Sequence, residues 1–253
     1  MRGSLMNNQQ ILELLSTLKL YGATAIYEQQ IASSTLDELT FDERFFELLN
    51  GQNDFVIEKR KCTLNKQAKL RYPTMFLENL DYVLYPDLNQ KQVQQLITCD
   101  WIREHRHLLI TGKTGTGKTS LACIFAQEAI KQLIPVLFFR LTNLLLELVV
   151  AQKEEKLKNY LRKLNRAPLI IIDDWGNALM NKPERHLLFE LIESRDLNAS
   201  LLITSQYPVS VWHESFQDST IADSVLDRII HNAHQIEFKK GSIRRMLNEK
   251  REK

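Results

Sequence analysis

The folding choices of this chain narrow most at one octapeptide, Gly112-Lys113-Thr114-Gly115-Thr116-Gly117-Lys118-Thr119, which directly follows the apolar run Leu108-Leu109-Ile110-Thr111. Its glycines let the backbone turn tightly enough for successive amides to converge, and a helix starting beside them would aim its positive end at the same point. Ser120 to Lys131 supplies that helix, with Leu121, Ile124, Phe125 and Ala129 spaced for one buried face. Strand, glycine loop and helix in this order fit G-x-x-x-x-G-K-[ST], a cradle for nucleotide phosphates. In that chemistry the backbone from Gly112 to Ser120 surrounds the phosphates. The Lys118 ammonium bridges the β- and γ-phosphates, and the Thr119 hydroxyl ligates Mg2+. A glycine turn that merely joined strand to helix would not require Lys and Thr at those two places.

Further apolar runs at Val136-Leu137-Phe138-Phe139, Leu169-Ile170-Ile171-Ile172 and Leu201-Leu202-Ile203-Thr204, and a shorter one at Gln235-Ile236-Glu237-Phe238, alternate with helical stretches. That texture predicts an α/β domain whose five-stranded parallel sheet carries helices on both faces. The run at 169–172 ends on Asp173-Asp174. Two acids at the buried end of a strand need a reason: Asp173 is expected to hold Mg2+ through a water, and Asp174 to orient the attacking water. A helix-capping role is the bland alternative for Asp174. Asn181-Lys182-Pro183-Glu184 has the outline of a guanine-reading N-K-x-D, but it ends in Glu and follows the acidic strand too closely. Adenine is therefore the expected base.

Residues 1–72 read as a small helical module ahead of the nucleotide-binding domain at 73–253. Ile11, Leu14, Leu15 and Leu18 form one helical stripe, and Thr40-Phe41-Asp42-Glu43 is a capping box with Phe45, Leu48 and Leu49 expected on the buried face beyond it. Gly51 is expected to stop that helix. A third helix then carries a basic tract and ends before Pro73. The tract holds Lys59, Arg60, Lys61, Lys66, Lys69 and Arg71 without an acid among them, and Lys153 and Lys156 open a second basic run that extends to Arg166. With a net charge of only +2, it is this clustering that points to nucleic-acid phosphates. Met1-Arg2-Gly3-Ser4 reads as a leader from an expression vector, with Met6 as the native start.

Other classes drop out. No apolar stretch approaches the roughly 18–20 residues of a membrane span, and neither a signal peptide nor a membrane partner is expected. Cys62, Cys99 and Cys123 are widely spaced and unpaired in pattern, as in reduced cytoplasmic proteins. The histidines form neither H-E-x-x-H nor a Cys/His quartet. Trp101, Trp175 and Trp212 adjoin apolar runs and are expected in the core or a subunit contact.

These motifs together resemble the AAA+ P-loop ATPases of the helicase-loader branch, and most closely the IstB family of transposition helpers encoded by insertion sequences. The resemblance runs nearly the whole length. It rests on 112–119, the run Leu169-Ile170-Ile171-Ile172-Asp173-Asp174-Trp175-Gly176, Ile203-Thr204-Ser205-Gln206, Val225-Leu226-Asp227-Arg228 and Gly241-Ser242-Ile243-Arg244, with Phe45-Phe46-Glu47-Leu48-Leu49 ahead of the basic helix. It implies that Gln206 is the sensor 1 residue, with Ser205 sharing the role. It also implies that Arg228 is an arginine finger offered to a neighbour's γ-phosphate, and that Arg244, or its neighbour Arg245, is the sensor 2 arginine. Many relatives carry Asp-Glu where this chain has Asp173-Asp174. ATP and Mg2+, double-stranded DNA, a cognate IstA-like transposase and further copies of the same chain are the implied ligands and partners. The alternatives are a replicative helicase loader of the DnaC/DnaI type, a small-molecule kinase and an ATP-locked scaffold with almost no turnover.

Overall fold

A computed structural model describes residues 2–32, 39–177 and 179–239. The chain divides into two compact units, 1–63 and 64–253, so residues 64–72 pack with the larger unit.

The smaller unit is helical: α1 (Arg2–Thr17), α2 (Tyr21–Ala32) and most of α3 (Phe41–Ala68). The capping box is formed. The Glu43 amide donates to Thr40 Oγ1 at 3.3 Å, and the Thr40 amide donates to Glu43 Oε2 at 2.8 Å. Gly51 does not end the helix, and no separate third helix follows it. α3 runs on through Gly51 to Ala68, short of Pro73. The reason is a close helix crossing. A Cβ on Gly22 would lie 2.3 Å from the Gly51 carbonyl oxygen, and one on Gly51 would lie 2.3 Å from Ile26 Cγ1. Gly51 is thus a contact residue, and its cost to helix propensity, about 1 kcal/mol, is offset by the approach it permits. The expected buried face after the cap is not realised. Phe45 and Leu49 are about half exposed and Phe46 is 63% exposed.

The larger unit opens with the end of α3 and continues through α4 (Gln90–Leu96) and α5 (Asp100–Arg103) into an all-parallel sheet. Its strands are β1 (His107–Gly112), β2 (Val136–Arg140), β3 (Leu169–Trp175), β4 (Ser200–Ser205) and β5 (Ala233–Phe238), in the order β2-β3-β4-β1-β5. Between them lie α6 (Lys118–Lys131), α7 (Leu141–Lys153), α8 (Leu157–Asn165), α9 (Lys182–Arg195) and α10 (Ser219–Ile230). The apolar runs are continuous because both faces are covered. Leu108, Ile110, Ile171 and Leu202 pack with α6, while Leu109, Ile170, Ile172 and Ile203 pack with α7, α9 and α10. Each such side chain removed from water contributes about 1.5–3 kcal/mol.

The stretch that outlines N-K-x-D is a helix start. The Asn181 side chain accepts from the Glu184 amide at 3.0 Å, and the Asn181 amide donates to Glu184 Oε2 at 2.8 Å. At the other end of α9, Arg195 is buried and donates to the carbonyls of Leu164, Ala167 and Ser200 at 3.1, 2.9 and 3.0 Å. Burial lowers its pKa only to about 10, so it remains a cation that ties α8, the loop leading into β3, and β4 together away from the glycine loop. Trp101, Trp175 and Trp212 all lie in the core.

Among the described residues no helix is long and apolar enough to cross a membrane. The cysteines are free, Cys62 exposed and Cys99 and Cys123 buried.

Candidate active site

The glycine loop leaves the carboxyl end of β1 beside β4, where the strand order turns back on itself. That is the place in an open parallel sheet where a crevice forms. Gly112, Gly115 and Gly117 all take positive φ. At Gly117 a side chain is barred twice, by φ +85° and by the Tyr85 ring, which would stand 2.6 Å from a Cβ. Lys118 begins α6 immediately afterwards, so the loop amides and the positive helix end face the same space.

Lys118 Nζ reaches back across the loop and donates to the carbonyls of Gly112 and Lys113 at 2.6 and 2.9 Å. Burial lowers its pKa, and the charges of Asp173 and Asp174 oppose that shift. Thr116 is buried and its hydroxyl donates to Lys113 O at 2.9 Å, which holds the loop's shape. Lys113 and Thr114 are exposed at its mouth, and Ser120 sits half-buried in the first turn of α6.

Asp173 is wholly buried. Its Oδ1 accepts the Thr119 hydroxyl at 2.8 Å and the Thr204 hydroxyl as well. Its Oδ2 has no hydrogen-bond partner among the described residues and faces Arg71, whose Nη1 is 3.6 Å away. A buried carboxylate oxygen with spare capacity beside a threonine hydroxyl is a donor set suited to a hard divalent cation that keeps several waters. The pair fits Mg2+.

Asp174 differs from its neighbour. Its backbone is left-handed, at φ 63°, and it falls where the register between β3 and β4 shifts. Its amide donates to Thr204 Oγ1 at 3.3 Å. The carboxylate is about half exposed and lies 3.7 Å from Arg140 Nε. It caps no helix among the described residues; the start of α9 is capped by Asn181.

At the end of β4, Gln206 bridges two loops. Its Oε1 accepts from Thr114 Oγ1 at 2.8 Å, and its Nε2 donates to Asn177 Oδ1. Ser205, expected to share its role, is buried, donates to Trp175 O at 2.7 Å and accepts from the Tyr207 amide at 3.1 Å. Sequence reasoning missed Thr204 and Asn177, and it placed Arg71 with nucleic acid. Only Thr204 had a signal, as the polar residue that closes an apolar strand.

The IstB-like ATP binding protein family model matches residues 13–252. The chain belongs to this family. It is 34% identical over 92% of its length, and over 95% of the relative, to a Sinorhizobium fredii protein named as the insertion sequence ATP-binding protein y4pL. To the protein so named for IS21 in Pseudomonas aeruginosa it is 31% identical, over 94% of this chain and 89% of the relative. Among solved structures, the DnaC helicase loader superposes with a TM-score of 0.54 at 22% identity, covering 67% of this chain and 99% of that one. AMPPCP-bound DnaA from Aquifex aeolicus gives 0.55 at 16% identity, covering 73% and 56%. The solved structures show the fold, the α/β arrangement of AAA+ P-loop proteins. The family makes this IstB-like protein an ATPase.

The other expected residues of this IstB-like chain are distributed as follows. Arg228, on α10, donates to Ser224 O and Oγ at 2.8 and 2.7 Å. It lies 3.7 and 3.6 Å from Glu193 and Asp196 and stacks over Phe189. Arg244 and Arg245 lie outside the described residues. Lys59, Arg60, Lys66, Lys69, Lys153 and Lys156 are exposed; Lys61 pairs with Glu58 at 2.6 Å and Lys156 with Glu154 at 2.8 Å. Arg71, grouped with them by charge, sits instead at the carboxylate of Asp173.

Proposed function

We propose that this protein is an ATP-dependent transposition helper that assembles on double-stranded target DNA and directs a partner transposase of the same insertion sequence. One observation carries the reading: a phosphate loop closed against a buried Asp173, in a chain alike over 92% of its length to an insertion-sequence ATP-binding protein. That likeness over 92% of the chain, against 67% for the DnaC helicase loader, favours the reading over a helicase loader.

In this reading the loop from Gly112 to Ser120 wraps the triphosphate and Lys118 exchanges its carbonyl contacts for phosphate oxygens. Thr119 and Asp173 hold Mg2+, which supplies charge neutralisation at the β- and γ-phosphates when bound. Asp174 and Gln206 would act on the attacking water and the γ-phosphate. Asp174 accepts a proton from the water, and the Gln206 amide orients it. Arg228 of a neighbouring copy completes the site, and a finger supplied in this way raises turnover by about 10³–10⁵ in related GTPases. The exposed apolar residues of the smaller unit, Phe41, Phe46 and Leu14 among them, are of the kind that mark a contact surface. The exposed bases of α3 and of the α7–α8 region suit phosphate contacts that position a duplex without reading its sequence.

The test is ATP turnover with and without duplex DNA for wild type, Lys118→Ala, Asp173→Ala and Arg228→Ala, alongside particle images of each with ATP. Lys118→Ala is expected to lose nucleotide binding. Arg228→Ala is expected to bind ATP and lose turnover, and mixing it with Lys118→Ala restores part of the activity. Wild-type turnover in Arg228→Ala protein, or a solitary chain under saturating ATP and DNA, overturns the assembly reading.

A further inference from the structure

Asp173 is fully buried, yet among the described residues only one of its oxygens is hydrogen-bonded. The other faces Arg71 at 3.6 Å, beyond a well-formed hydrogen bond and within ion-pair reach. A buried carboxylate without a counter-charge is costly, and Arg71 is the ion-pair partner of Asp173 among the described residues. The guanidinium is itself one-third exposed, so it can leave without being stranded in the core.

The segment that carries Arg71 is also distinctive. Lys69, with a left-handed φ of 52°, turns the chain out of α3, and the following residues run along α6. Two α6 side chains spaced four apart hold that run: Gln127 Nε2 donates to Pro73 O at 2.6 Å, and Lys131 pairs with Glu78 at 3.2 Å. Of the contacts along this run, the Arg71 ion pair alone is made to the proposed metal's own acid.

We propose that Arg71 is a displaceable counter-ion: it neutralises Asp173 until Mg2+ and nucleotide take the carboxylate, and its departure loosens the chain between α3 and Pro73. The inference rests on the proposed Mg2+ and ATP site and adds to it a route by which occupancy reaches the end of the basic helix. Two cations contend for one carboxylate, so Mg2+ engages Asp173 less readily with Arg71 in place than without it. The Arg71 guanidinium carbon already lies over the Tyr72 ring, 5.5 Å from its centroid, a contact the cation can keep when the carboxylate is taken. Arg71 in this role is a positioning residue, with no contact to the reacting atoms.

The experiment uses the full chain and a fluorescent ATP analogue titrated with Mg2+. In Arg71→Gln the Mg2+ concentration giving half the effect falls by roughly three- to tenfold, while Arg71→Lys, which keeps the charge, stays within about twofold of wild type. Hydrogen exchange supplies a second readout. In wild type the amides of residues 70–72 exchange faster with Mg2+ and a non-hydrolysable ATP analogue than with the analogue in EDTA, and those of 76–80 do not change. In Arg71→Gln residues 70–72 exchange fast under both conditions. The proposal is overturned if Arg71→Gln needs as much Mg2+ as wild type, or if it loses affinity at saturating Mg2+, which would make Arg71 a phosphate ligand. It is also overturned if exchange at 70–72 in wild type ignores Mg2+. In each of those outcomes nucleotide binding by the wild type persists, so the nucleotide site stands and only the counter-ion role falls.

Discussion

Thr114 donates its hydroxyl to Gln206 across 2.8 Å, which ties the tip of the phosphate loop to the end of β4. Gln206 therefore registers the loop's position directly, and its amide nitrogen is fixed in turn by Asn177. Gln206→Ala is expected to lower turnover at saturating ATP by about tenfold or more while changing ATP affinity little, since a polar group acting on developing charge serves the transition state more than the bound substrate. Steady-state turnover beside equilibrium nucleotide binding checks it; equal losses in both would make Gln206 a ground-state ligand.

Thr204 stands behind both acids, donating to Asp173 and accepting from the Asp174 amide. Thr204→Val keeps the shape of the side chain and removes both bonds. The expected loss is about 1–3 kcal/mol of stability, because buried polar groups are left without partners. A raised Mg2+ requirement for nucleotide binding should accompany it. Chemical denaturation and an Mg2+ titration measure the two; an unchanged midpoint would mean that water replaces the hydroxyl.

Gly22 has no room for a side chain, because the added carbon would meet the backbone of Gly51. Gly22→Ala should part α2 from α3 and destabilise the smaller unit by about 1–3 kcal/mol. Thermal unfolding followed by helix circular dichroism tests this, and the nucleotide affinity of the larger unit serves as the control expected to stay unchanged.

His107 begins β1 in the core, where its Nδ1 accepts from the Leu201 amide at 3.1 Å. Burial, aided by the nearby Arg195 cation, lowers its pKa from 6.5 to about 4. The unfolded chain therefore binds a proton that the folded chain refuses, and stability falls as the pH drops from about 6.5 toward 4. Below that window the effect is complete. The size is on the order of 2–3 kcal/mol. His107→Gln should flatten the stability profile between pH 4 and 6.5, measured by denaturant midpoints at each pH; a slope equal to that of wild type would assign the acid sensitivity to other groups.

The parts that were legible in the sequence are those whose local signal has a single physical cause. A glycine loop with Lys118 and Thr119 after an apolar strand, and an acid at the end of another, are enough to bring Thr119 and Asp173 together at one end of the sheet. What stayed hidden depends on tertiary contact. Gly51 reads as a helix stop because its propensity is poor, and only the crossing with Gly22 explains its survival inside α3. Arg71 reads as part of a basic tract until the fold brings Asp173 to it from a hundred residues further along the chain. Asn177 gives no signal at all, since its partner is a side chain on another strand's end.

Arg228 already has companions at home: two carboxylates, a serine and an aromatic face. In the role proposed for it, this guanidinium has to give up Glu193 and Asp196 before it reaches a neighbour's nucleotide, so those two acids set how much negative charge the neighbour must offer.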